Sequence, residues 1–298
     1  MRYMLLSLIM TLVVPALAGT GLERAPVNGG YLTYQQSGEG EAVFTIHGAL
    51  VADAFLPIMD QPALDGYRVI RYQRSGHAHS ASLDISPADF LDRAVADALA
   101  LLDHLNVERA HVVGHSSGAV IAMALALNSP DRVHSLVLLE PPMAMVPAAE
   151  ELFETIGKAT SYHQAGDSAA GVDAFLTRLT GPEWQELMAS QVPGAKDQAI
   201  ADAASFFDIE VPGLAEFEFD VERASRLTMP ALYVLGTESS AIANAAGFFE
   251  QGKEFLMKAL PNAESITLEG MNHSMQIGFP ETLAQTIAEF AARHPIDN

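Results

Sequence analysis

Gly114-His115-Ser116-Ser117-Gly118 is the stretch that most restricts how this chain folds. It lies between the apolar run Ala110 to Val113 and an amphipathic run of helix formers from Ala119 to Asn128. Two glycines flanking a serine at this spacing, entered from a strand and left into a helix, define a sharp turn that lifts the serine hydroxyl clear of the sheet. A chain with such a turn needs a buried parallel strand beneath it and a helix packed behind it.

Two further segments stand in matching order. Val43 to Ile46 is an apolar run that ends in His47-Gly48-Ala49-Leu50, ahead of the serine. Near the far end, Ile266-Thr267-Leu268 runs into Gly270-Met271-Asn272-His273, followed by a helix that Pro280 opens. A serine hydroxyl is a weak nucleophile until a base takes its proton and a third group fixes the tautomer of that base. Ser116 and His273 are the candidates for the first two roles.

Strand-like segments at Tyr31 to Gln36, Val43 to Ile46, Tyr67 to Tyr72, Ala110 to Val113, Ser135 to Leu139, Ala231 to Leu235 and Ser265 to Leu268 alternate with helical ones. That alternation predicts an α/β fold with a mostly parallel twisted sheet flanked by helices. The clearest helix starts at Ser86-Pro87-Ala88-Asp89, with Ser86 as cap, and carries Leu91, Val95, Leu99 and Leu102 on one face. Between Glu140 and Ala231 the pattern is helical, at Ala148 to Gln164, Ala169 to Leu179 and Ala195 to Phe207.

With these residues in view, the sequence resembles the α/β-hydrolase superfamily over nearly everything after residue 23. The landmarks are Arg109 to Gly118, Pro130-Asp131-Arg132-Val133 and Leu136 to Pro142. The resemblance implies a core of residues 19–140 and 229–298 and a helical cap of 141–228 over the site. Met143, Met145, Trp184, Phe206 and Phe207 are its candidate pocket lining. It also implies an oxyanion hole built from the N–H groups of Ala49 and Ser117, with Gly48 as the alternative to Ala49. His47 then supports that loop and His115 is a turn residue.

The acid of the triad has two candidates. The commonest family position lies three residues after a glycine following the penultimate strand, and here Gly236-Thr237-Glu238-Ser239 puts Ser239 there. Glu238 lies one residue early. Glu140 ends the strand after the elbow helix, and lactone hydrolases resembling the zearalenone-degrading enzymes use a glutamate at that place within similar landmarks. The resemblance favours Glu140, with Glu238 as the alternative acid.

These features imply a serine hydrolase that cleaves a carboxylic ester or lactone through an acyl-enzyme, without a cofactor. Carbon–carbon bond or amide hydrolysis on the same triad is the alternative, and a ligand sensor with a retained triad a further one. Serine at 116, where an aspartate would be needed to form an alkyl-enzyme ester, argues against epoxide or haloalkane hydrolysis. The expected partner is a small hydrophobic ester or lactone.

Charge and composition narrow the rest. Sixteen Lys and Arg against 37 Asp and Glu give a net charge of −21, which repels nucleic acid. The chain has no cysteine, so thiol catalysis, disulfides and thiolate metal sites are excluded. His77-Ala78-His79 lacks a third ligand at metal spacing, and Arg74-Ser75-Gly76 resembles the family's turn after the third strand, with Gln73 where an Asp is usual. Met1-Arg2-Tyr3, the apolar run Met4 to Ala18 and the small-residue site Ala16-Leu17-Ala18 predict a signal peptide over residues 1–18 and a periplasmic or secreted product. A start near Leu22 would instead leave the protein in the cytoplasm. No later segment has the length and apolarity of a membrane span.

Overall fold

The computed structural model describes residues 21–27, 29–82, 84–239 and 247–296. The predicted signal peptide lies outside the described residues. Eight strands form one sheet in the order β1-β2-β4-β3-β5-β6-β7-β8. They are β1 (Glu23–Val27), β2 (Gly30–Ser37), β3 (Glu41–Ile46), β4 (Tyr67–Gln73), β5 (Ala110–His115), β6 (Val133–Leu139), β7 (Ala231–Gly236) and β8 (Ala263–Leu268). The β1–β2 and β2–β4 pairs are antiparallel and the others parallel. β1 is the strand missing from the sequence reading. Its Pro26 is tolerated because an edge strand has one unpaired side.

The central strands are buried on both faces: every residue of Ala110–His115 is buried, and Leu136–Leu139 is a continuous apolar run. One face is covered by α1 (Phe90–His104) and α2 (Ser117–Asn128). Ser86 does not cap α1. Pro87–Asp89 is a 3-10 turn, and the Ser86 hydroxyl donates to Asp89 Oδ2 at 2.8 Å instead of accepting a backbone N–H. α2 is not amphipathic either: every residue from Ser117 to Leu127 is buried. Small alanines let it lie close to the sheet while the neighbouring helix covers its outer side.

Between β6 and β7 the chain forms α3 (Ala149–Gln164), α4 (Ser168–Thr180), α5 (Trp184–Gln191), α6 (Ala195–Ala201), a π-helical turn at Ser205–Glu210, α7 (Val211–Ala215) and α8 (Val221–Ser225). No strand interrupts this stretch among the described residues. The run expected as one helix over Ala195 to Phe207 breaks near Asp202 and continues as the π-helical turn. Among the described residues no helix is long and apolar enough to cross a membrane.

Candidate active site

The candidate residues converge at the carboxyl ends of the parallel strands, where ligands of open α/β sheets bind. Register brings them together. His115 at the end of β5 pairs with Leu139 at the end of β6, so Ser116 and Glu140 leave the sheet side by side. The Ser116 N–H donates to the Leu139 carbonyl at 2.9 Å.

Ser116 has φ 51° and ψ −124°, a strained conformation that a non-glycine residue holds at a cost of about 1–3 kcal/mol. The flanking glycines make the turn possible. A Cβ on Gly118 would lie 2.2 Å from the Ile46 carbonyl oxygen and 2.4 Å from that of His47, and one on Gly114 would lie 2.5 Å from Ala119 Cα. The turn therefore presses directly against the end of β3, and with it against the loop that begins at His47.

That loop is held from behind. His47 Nδ1–H donates to the Gly48 carbonyl at 2.7 Å, and its Nε2 accepts the Arg74 N–H at 3.0 Å. Burial, reinforced by the charge of Arg74 and by His77, holds the His47 pKa well below its ordinary value, so the ring is neutral and one nitrogen can donate while the other accepts. Arg74 Nη2 also donates to the Gly48 carbonyl at 3.0 Å. With two donors fixing the C=O of the Gly48–Ala49 peptide, the Ala49 N–H of the same trans unit points the opposite way. Ala49 lines the cavity beside Ser116. This favours Ala49 over Gly48 as the donor. Ser117 heads α2, where the first N–H groups have no intrahelical acceptor.

Arg74 has a second partner. Both carboxylate oxygens of Glu210, at the end of the π-helical turn, accept from Nη2 at 3.0 Å, and His77 Nε2 lies 3.5 Å from Glu210 Oε2. Arg74 and Glu210 are both buried. Thus the helical stretch between β6 and β7 is fastened to the loop after β4 by an ion pair removed from water. Nothing in the local sequence pattern signals this pair, whose members are 136 residues apart.

His273 Nδ1 lies 2.7 Å from Glu140 Oε2, and Glu140 Oε1 accepts the Gly236 N–H at 2.8 Å. Glu140 has φ 46° and is fully buried. The His273 ring stacks on Phe249 with centroids 4.8 Å apart at 17°. Its backbone carbonyl accepts from His115 Nε2 at 2.7 Å, so His115 is a brace for the histidine loop and not merely a turn residue. Glu238 is exposed, with Thr237 Oγ1 at 3.4 Å from its carboxylate. Ser239, in the commonest acid position, is buried.

Ala49, Ser116, Ser117 and His273 border one cavity of about 150 Å³. Met143, Met145 and Phe206 line it as expected, together with Phe248 and Phe249. Trp184 and Phe207 do not. Trp184 is buried and donates through Nε1 to Asp173 Oδ1, and Phe207 stacks on His163. Met145 and Phe153 line the cavity yet stay exposed, marking its open side. Gln73 serves loop hydrogen bonding, accepting the His79 N–H at 3.0 Å and donating to Asp53 at 2.8 Å.

A strained serine between two glycines, a histidine fixed by a carboxylate and a cavity at the strand ends define the hydrolase class of α/β proteins. Residues 41–280 match the α/β-hydrolase fold model, and the chain belongs to that family. It is a hydrolase. A rhodomycin D methylesterase of Streptomyces sp. strain C5 is 26% identical over 253 residues, covering 77% of this chain and 83% of the relative. Human serine hydrolase BPHL is 34% identical over 131 residues, 42% of this chain and 45% of the relative. The crystal structure of an enol-lactonase from Burkholderia xenovorans LB400 superposes with a TM-score of 0.69 at 22% identity, covering 90% of this chain and 99% of that one.

Proposed function

We propose that this hydrolase cleaves a hydrophobic carboxylic ester or lactone through an acyl-enzyme on Ser116, with His273 as base and Glu140 as the acid of the triad. The observation that carries the reading is the 2.7 Å contact of His273 Nδ1 with Glu140, beside the strained Ser116 on the wall of the same apolar cavity. The methylesterase relative supports ester chemistry.

In the first half-reaction Ser116 Oγ attacks the carbonyl carbon while His273 Nε2 takes its proton. The oxyanion is met by the N–H groups of Ala49 and Ser117, a contribution of about 2.7–4 kcal/mol per donor in proteases. Glu140 holds Nδ1–H toward itself and stabilises the imidazolium. The C–O bond then breaks, His273 returns the proton to the leaving alcohol, and water repeats the sequence to release the acid.

The test is hydrolysis of a p-nitrophenyl ester series. Turnover that is lost in folded Ser116→Ala is the expected result. Wild-type protein inert toward every ester, or a Ser116→Ala variant as active as wild type, would overturn the reading.

A further inference from the structure

A second, smaller chamber of about 20 Å³ adjoins the main cavity. The two share Ala49, Ser116 and His273, and the small one adds His115, Thr180 and Gln276 to its walls. Its volume suits a single water-sized group. Several polar side chains line it, and the orientation of one of them, Gln276, can be deduced.

His115 Nε2 lies 2.7 Å from the His273 carbonyl oxygen, which can only accept, so Nε2 carries the proton. His115 is buried, and that burial together with the nearby His273 holds its pKa well below the ordinary value. Its Nδ1 is therefore bare. The atom 3.2 Å away is Gln276 Nε2, which donates to it and so fixes the amide the right way round. Gln276 is 1% exposed, and its Oε1 has no hydrogen-bond partner among the described residues. The Thr180 hydroxyl does not fill that need, because it donates to the Leu176 carbonyl at 2.7 Å.

We propose that the small chamber is an O–H subsite on the leaving-group side, in which Gln276 Oε1 accepts from a hydroxyl beside the scissile bond. The proposal rests on the ester-hydrolase reading. Two sources present this chemistry: a hydroxyl carried by the alcohol half of the substrate, and the water that replaces that alcohol before deacylation. Both stand next to His273, which exchanges the proton, while Gln276 keeps its own protons and only orients the donor.

The experiment compares wild type, Gln276→Met and Gln276→Glu on ethyl and 2-hydroxyethyl butyrate, and follows the p-nitrophenol burst with p-nitrophenyl butyrate. A tenfold higher kcat/KM for the hydroxyethyl ester, collapsing to near unity in Gln276→Met and persisting in Gln276→Glu, supports the subsite and assigns it to the alcohol. The ratio is internally normalised, so a partly misfolded variant does not disturb it. A ratio near unity in wild type, with a burst that grows about tenfold in Gln276→Met and not in Gln276→Glu, supports the subsite and assigns it to water. Neither the ratio nor the burst changing in Gln276→Met would overturn it. If wild type cleaves no ester, the hydrolase reading fails separately, and calorimetry on Ser116→Ala decides the chamber: tenfold tighter binding of the hydroxyethyl ester sustains it, and equal binding of the two overturns it.

Discussion

Glu140 and His273 meet across 133 residues of chain, Oε2 to Nδ1 at 2.7 Å, while the second oxygen of the same carboxylate is held by the Gly236 N–H. Gly236 is what allows the approach: a Cβ there would lie 2.3 Å from the Met271 carbonyl oxygen in the histidine loop. The Glu140 carboxylate thus arrives from β6, and the glycine of β7 supports it.

Glu140→Gln leaves the shape and places an amide that can donate where His273 Nδ1–H must also donate, which favours the wrong tautomer. The expected loss in kcat is about 10³–10⁴-fold, by analogy with the corresponding change in a serine protease. Glu238→Gln is expected to stay within about twofold of wild type, since the Glu238 carboxylate is exposed. Steady-state hydrolysis of a p-nitrophenyl ester reads both, and an inactive Glu238→Gln beside an active Glu140→Gln would move the acid to the later strand.

Gly118→Ala drives a methyl group into the carbonyls of Ile46 and His47. Overpacking of this kind costs about 1–3 kcal/mol. A lower melting temperature together with near-complete loss of turnover is the expected outcome, because the same shift displaces both the serine turn and the loop after β3. Unchanged melting and activity would show that the backbone yields without penalty.

Arg74→Met and Glu210→Met each strand a buried charge and should destabilise by about 3–5 kcal/mol. The double variant is expected to be more stable than either single one, which a denaturant double-mutant cycle reads directly. Arg74→Met should in addition slow turnover at least tenfold, since the Gly48 carbonyl loses one of its two donors. Additive destabilisation would mean that the two side chains do not act as a pair.

Acid should destabilise the fold in a defined window. Burial and the Arg74 charge push the His77 pKa from 6.5 down to about 4, so the unfolded chain binds this proton first as pH falls. The contribution of a neutral His77 is fully present above about 6.5 and is lost progressively toward 4. His47 and His115 shift in the same direction. Urea midpoints of wild type and His77→Asn at pH 7 and pH 4.5 should show a smaller decline in the variant; parallel declines would remove His77 from the account.

The amino-terminal run predicts processing after Ala18. Intact mass and Edman sequencing of protein produced with its own first residues in an exporting bacterial host should give Gly19 as the new terminus. A product retaining Met1 inside the cell would instead support cytoplasmic residence.

The turn at Ser116, the loop at His273 and the positions of the central strands along the chain could be read from the sequence because each rests on a local pattern: a glycine-serine-glycine turn, a strand running into a histidine loop, apolar runs of fixed length. β1 could not, since Glu23–Val27 is five residues with a proline and a single hairpin partner. The choice between Glu140 and Glu238 is not legible in the sequence, because it turns on which carboxylate reaches His273, a matter of inter-strand register. Arg74–Glu210 and Gln276–His115 were invisible for the same kind of reason. They join elements far apart in the chain through groups that look like ordinary surface polars until burial is known.

The Ser116 N–H to Leu139 carbonyl bond carries a consequence for how the protein fails when heated. Ser116 and Glu140 ride on two adjacent central strands, so their spacing is a property of the most slowly exchanging part of a sheet and persists until the domain melts as a whole. The His273 loop lies outside that unit. Amide protons of β5 and β6 should therefore resist deuterium to the global limit, and heat inactivation should track either that limit or the opening of one loop, with no intermediate stage in which the serine and the glutamate drift apart.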